Sequence, residues 1–248
     1  MMLERRITFY CGEAGLPSYQ LNQLKKLTSY FQAQVELFNV RQLTCAPVSQ
    51  PLKMLALANK PHALCQLIIK GHDAELANLV LTDFISQYAL SLSQFSPPEP
   101  FKLNFPVTSI GCGNGDKADT IAQLSQMLVA QQAISSEQQP ALQQALLDRE
   151  TISATVMGPQ IALPHVMHES IRQPAMAIVC HQQPIDWGSS RGNINRAIAM
   201  ILPKPPPKAV IMAFAQFSKC LLNDDYCRAL TLAQLPQDLK ALVIEALR

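Results

Sequence analysis

The stretch from Ser96 to Pro106, SPPEPFKLNFP, places four prolines in eleven residues and constrains the fold more than any other. Proline fixes φ and has no backbone N–H to donate, so neither a helix nor a central strand runs through such a segment. The stretch is expected to be an extended linker between two domains, residues 1–95 and 107–248. A chain of 248 residues is long enough for two ordinary cores.

Before the linker, residues 4–11 (ERRITFYC) partly alternate as a strand does, and Tyr19 to Phe31 carries apolar positions at helical spacing. Gln34 to Asn39 returns to alternation, and a short run surrounds Thr44 to Val48. Pro51 to Ala58 reads as a helix entered through proline, Cys65 to Lys70 as a strand, and Ala74 to Tyr88 as a long amphipathic helix. The order β-α-β-β-α-β-α predicts an α+β domain with one antiparallel sheet covered on one face by helices.

After the linker, Ile110 to Lys117 (IGCGNGDK) sets three glycines before a helix. Backbone N–H groups of such a loop can cradle phosphate, but the spacing fits neither a Walker loop nor a dinucleotide fingerprint. A connector with Asp116 capping the helix is the expected role. Helices follow at 118–131 and 137–147, with Ser135 or Ser136 as cap for the second, and again at 210–222, 224–230 and 236–247. Strands at 153–157, 161–164, 175–180 and 196–202 lie between them. The expectation is a mixed α/β arrangement, a mixed sheet flanked by helices.

A net charge of +2 with 15% charged residues gives no extended basic face, so nucleic acid is not an expected partner. The start, MMLERRITFYC, is too polar for a secretory signal, and no stretch approaches the roughly 20 apolar residues that span a bilayer. A cytoplasmic protein without membrane insertion is expected. The seven cysteines are scattered and form no C-x-x-C pair, which reads as reduced, mostly buried thiols.

Chemistry concentrates between Glu150 and His165, ETISATVMGPQIALPH. Gly158 permits a tight or left-handed turn, Ile161 to Leu163 form a short buried strand, and Pro164 stiffens the exit, leaving His165 at a strand end. Imidazole titrates near pH ~6.5 in the absence of perturbation, so a neutral nucleophilic ring is available near neutrality. Arg149, at the end of the preceding helix, offers planar bidentate donors for phosphoryl oxygens. Backbone N–H groups from Gly158 to Gln160 could add more. His168 makes H-x-x-H with His165, but no third ligand is evident and Pro164 argues against a helix there, so no metal site and no cofactor are expected. His181 reads as a strand-end residue.

The segment resembles the signature of enzyme IIA domains of the fructose and mannitol class of the bacterial phosphotransferase system. That signature sets an acidic or amide residue at Glu150, then Met157, Gly158, Ile161, Ala162, Leu163, Pro164 and His165 at fixed spacings. The resemblance runs from about Lys117 to the carboxyl terminus. It implies that His165 carries a phosphoryl group with Arg149 as helper, taken from phospho-HPr and passed to an enzyme IIB domain. The chain departs from the family at Val166, where a smaller residue or cysteine is usual, and at Ala209, where the family has a second active-site histidine.

Residues 1–90 resemble HPr, the histidine phosphocarrier of the same system, in element order. The loop Gly15-Leu16-Pro17-Ser18-Tyr19-Gln20 keeps the family's glycine and leucine, but Pro17 stands at the phosphoacceptor histidine and Tyr19 at the arginine. The resemblance implies a catalytically silent HPr relative used for docking or regulation. An unrelated α+β domain with a Gly-Leu turn accounts for the same pattern. Three functions follow for the whole chain: a phosphocarrier, a regulatory protein switched by phosphorylation of His165, and, with least support, a metal hydrolase using His165 and His168.

Overall fold

The computed structural model describes residues 3–92 and 109–248, so the linker expected at 96–106 lies outside the described residues. By its contacts the chain forms two compact units, Met1–Phe101 with Leu232–Ala246, and Lys102–Thr231 with Leu247–Arg248.

The first unit runs β1 (Leu3–Tyr10), α1 (Ser18–Thr28), β2 (Gln34–Asn39), β3 (Thr44–Pro47), α2 (Pro51–Ala58), β4 (Leu64–Gly71), α3 (Ala74–Tyr88) and β5 (Leu90–Ser91). The element order matches the sequence expectation, with β5 added. The strands lie in the order β3-β2-β4-β1-β5, and their pairings are antiparallel. Strand alternation sends Ile7, Phe9, Val35, Leu37, Cys65, Leu67 and Ile69 to a core shared with Leu21 and Leu24 of α1, Met54 of α2 and Leu81 of α3. Pro51 opens α2, where its missing N–H has no helical partner to lose.

The sheet departs from the expected single covered face. Leu64, Gln66 and Ile68 alternate with the helix-side residues of β4, yet their relative exposures are 0%, 1% and 1%. Phe38 and Thr8 are buried as well. Polar side chains on this face satisfy one another: Arg6 donates to Gln66 at 3.0 Å, and Gln66 donates to Thr8 at 2.9 Å. Such pairing is what burial of polar groups requires. The helix Pro236–Leu247, except for Leu247, belongs by its contacts to this unit and not with Lys102–Thr231.

The second unit contains β6 (Ser109–Gly113), α4 (Lys117–Ala130), α5 (Gln139–Ile152), β7 (Val156–Gly158), β8 (Ile161–Ala162), β9 (His165–His168), β10 (Ala175–Ile185), β11 (Ile194–Pro203), α6 (Lys208–Cys220) and α7 (Asp224–Leu232). The sheet order is β6-β10-β11-β8-β7, with β9 also paired to β11. Strands β10 and β11 are antiparallel, whereas β6, β8 and β9 join in parallel. Ala175, Ala177, Val179, Ala197, Ala199 and Ile201 face Ile121, Leu124 and Leu128 of α4 and Leu142 and Leu146 of α5. The expected connector is shorter than the glycine pattern suggested: Gly111 and Gly113 lie in β6, paired with β10, and only Gly115, at φ 114°, falls in the turn into α4. Asp116 accepts from the N–H groups of Ala118 and Asp119 at 2.8 and 3.0 Å, and Asp119 reaches back to the Asp116 N–H. A carboxylate therefore already occupies the helix end that a phosphate would use.

Candidate active site

Helix α5 runs on to Ile152, just past the Asp148-Arg149-Glu150 end expected from the sequence, so Glu150 sits on its final turn and is buried at 4% exposure. Its carboxylate accepts from the Trp187 indole N–H at 2.9 Å, the Thr155 N–H at 3.0 Å and the Thr155 hydroxyl. Lys117 Nζ lies 3.8 Å from the same carboxylate and donates to the Trp187 carbonyl at 3.0 Å. The acid at the head of the motif is thus a structural anchor for the loop after α5. Sequence reading missed Thr155, and no local pattern marks it.

Gly158 does not turn the chain. The left-handed residue of the β7–β8 hairpin is Gln160, at φ 61°, following Pro159 as in a type II turn. Gly158 is required by proximity: a Cβ there would lie 2.4 Å from Cys227 Sγ and 2.7 Å from the Leu221 carbonyl. The Gln160 carbonyl accepts from Asn195 and Arg196 N–H groups at 3.0 and 3.1 Å, and its side chain accepts from Asn195 at 2.8 Å. Ile161 pairs with Arg196 and His165 with Met200 on β11, a separation of roughly 13 Å at strand rise. The hairpin is therefore remote from the His165 ring, and the expected donation from Gly158 and Gln160 to a phosphoryl group on His165 does not fit this geometry.

His165 opens β9, a strand that alternation did not predict, and its ring is half-buried. Nδ1 lies 2.8 Å from the Leu163 carbonyl oxygen. A carbonyl only accepts, so Nδ1 carries the proton and the Nε2 lone pair is available to an electrophile. Arg149 sits on α5, which packs beside β9. The residue is half-buried, its guanidinium donates to the Ser153 carbonyl at 3.0 Å in an exposed hydrogen bond, and it has no acidic partner among the described residues. Ala209 falls in the first turn of α6 and is exposed.

The other histidines have different surroundings. His168 is three residues along the same strand, hence on the opposite face. Its Nδ1 accepts from the Ser170 N–H at 3.1 Å, which puts its proton on Nε2, the reverse of His165. Among the described residues no group of three or more His, Cys, Asp or Glu side chains could hold a metal. His181 lies within β10, not at its end, and is buried at 4% exposure. It meets the Thr120 hydroxyl at 3.1 Å. Burial lowers its pKa, a Gly113 backbone hydrogen bond opposes this, and Arg196 reinforces it. The unfolded chain takes up this proton near pH ~6.5 and the folded chain only at lower pH. Stability contributed by the neutral ring is therefore present above about pH 6.5 and lost as pH falls toward the folded pKa. Urea titrations across pH 5–7 are expected to show this acid-side loss in wild type and a shallower one in His181→Gln. Of the cysteines, Cys11, Cys65, Cys220 and Cys227 are buried. The Cys227 thiol is pushed up to about 12 by burial, with Asp224 and Cys220 adding to the effect.

The sequence model described as "Phosphoenolpyruvate-dependent sugar phosphotransferase system, EIIA 2" matches residues 108–246, more than half of the 248-residue chain. The chain belongs to this family. Residues 108–246 are thus its EIIA 2 region. The Multiphosphoryl transfer protein of Shigella flexneri is 28% identical over 102 residues, covering 41% of this chain and 12% of that protein. Multiphosphoryl transfer protein 1 of Escherichia coli (strain K12) matches with the same identity and coverage. The matched region thus spans only 12% of the length of these curated relatives. Among solved structures, IIA mannitol from Escherichia coli aligns with TM-score 0.45 and 18% identity over 57% of this chain and 99% of that one. Among the described residues, no helix of this EIIA 2 protein is long and apolar enough to cross a membrane.

Proposed function

We propose that His165 Nε2 accepts a phosphoryl group from phospho-HPr and passes it to an enzyme IIB domain, with Arg149 stabilising the phosphoryl oxygens. The observation that carries this reading is the hydrogen bond from Nδ1 to the Leu163 carbonyl. The lone pair on Nε2 forms the new N–P bond as the donor's N–P bond breaks. The Nδ1 proton, held by the carbonyl, lets the ring bear the positive charge that develops. Onward transfer reverses these steps and returns the neutral ring in the same tautomer. A transfer of this kind needs alignment and charge stabilisation more than covalent help, which suits a ring fixed on one side and a guanidinium on the neighbouring helix. Cytoplasmic location follows from such partners.

In this reading residues 1–95 are an HPr-like domain without its acceptor, because Pro17 stands at the N-cap of α1, and they serve in docking or regulation. Ala209 favours a second role for the chain. With no second imidazole to stack on a phosphorylated ring, phosphate could reside on His165 and control a partner by its charge. Incubation with phosphoenolpyruvate, enzyme I and HPr, followed by addition of IIB domains, separates the two. Acid-labile label that moves on to a IIB domain is expected of a carrier. Label that stays on this chain supports regulation, and no label at all overturns both.

A further inference from the structure

Leu163 does more than precede the motif's Pro-His. The Met200 N–H reaches the Pro164 carbonyl at 2.9 Å, so by strand alternation the peptide groups of Leu163 point away from β11. Its N–H donates to the Thr155 carbonyl at 2.9 Å, and its carbonyl receives the His165 Nδ1 proton at 2.8 Å. Thr155 is held in turn by the buried Glu150 carboxylate through both its N–H and its hydroxyl, and Trp187, at 0% exposure, holds Glu150.

We infer that Glu150 and Thr155 are positioning residues for His165, setting its tautomer through the chain of contacts Trp187–Glu150–Thr155–Leu163–His165. The bonds at Thr155 and at Leu163 fall on consecutive peptide units, so what passes along the chain is position and not bond polarisation. A carboxylate buried at one end determines where a carbonyl oxygen sits at the other. If Thr155 shifts, Leu163 follows, the carbonyl leaves the ring, and the proton redistributes between Nδ1 and Nε2. Protonated Nε2 cannot attack phosphorus.

The inference rests on His165 being the acceptor, but its decisive readout does not. Long-range 1H–15N correlation spectra of the imidazoles, recorded at about pH 8 above the ordinary histidine range, report the tautomer directly in unphosphorylated protein. Wild type is expected to hold His165 solely as the Nδ1–H form. Glu150→Ala is expected to give a mixture of both forms and to lower the maximal rate of phosphoryl uptake about 10-fold at unchanged KM for phospho-HPr. Glu150→Gln is expected to restore both. A folded Glu150→Ala protein that keeps the pure Nδ1–H form overturns the inference. Should that variant not fold, Thr155→Val, which deletes only the hydroxyl bond, is read by the same two outcomes. If wild type takes up no phosphoryl group, the proposed function fails while the tautomer still decides the positioning role.

Discussion

Replacing His165 with alanine is expected to reduce acid-labile phosphate on this chain to background, a loss of at least about 10³-fold in rate. No other described histidine can substitute. His168 lies on the opposite strand face with its Nδ1 accepting the Ser170 N–H, His181 is enclosed within β10, and His62 and His72 belong to the first unit. Nor can a hydroxyl take the ring's place, since serine and threonine are weak nucleophiles without an activating base. His168→Ala is the matching control and is expected to label as wild type does. Scintillation counting after acid and alkaline treatment distinguishes phosphohistidine from a phosphoester. Alkali-stable, acid-labile label surviving in His165→Ala would place the acceptor elsewhere.

Gly158→Ala is expected to produce the largest loss of stability among the motif substitutions. The added Cβ would meet Cys227 Sγ at 2.4 Å and the Leu221 carbonyl at 2.7 Å, and one of those neighbours is backbone that cannot rotate away. Overpacking of this kind costs about 2–3 kcal/mol, a drop of roughly 5–10 °C in melting midpoint for a unit of this size. Circular dichroism melts measure it. Adding Cys227→Ala removes the sulfur but not the carbonyl, so the double variant is expected to recover only part of the loss, with a coupling energy expected between contacting sites. An unchanged midpoint in the single variant would mean that α7 and the loop before it give way freely.

These two residues mark how far the sequence alone reaches. Alternation and helical spacing are local, and they located β2, α2 and α3 at their observed ends. The Pro-His motif drew attention to His165, whose Nδ1 meets the Leu163 carbonyl in the folded chain. Gly158 was identified correctly but for the wrong reason, because a glycine's φ is a local property while a helix seventy residues later is not. Strand β9 escaped notice since His-Val-Met-His does not alternate cleanly, and its pairing is supplied by Met200 to Pro203 on β11. The burial of His181 and the tie from Glu150 to Thr155 arise the same way, from partners that only the folded chain brings near. Arg149 is the intermediate case: helical spacing put it at the end of α5, and the packing of α5 beside β9 makes that position relevant to His165.

The grouping of Leu232–Ala246 with Met1–Phe101 has a consequence for how the protein is made. The first unit is discontinuous in sequence, with its final helix translated after Lys102–Thr231. During synthesis the amino-terminal sheet emerges from the ribosome well before the segment it packs with has been made. The first unit therefore reaches its full set of contacts only after Leu232–Ala246 has been made, whereas the residues around His165 have all been made earlier. A fragment ending at residue 231 is expected to retain the local hydrogen bonds of the His165 loop while losing cooperativity in the sheet that precedes it, a contrast that amide exchange can read strand by strand.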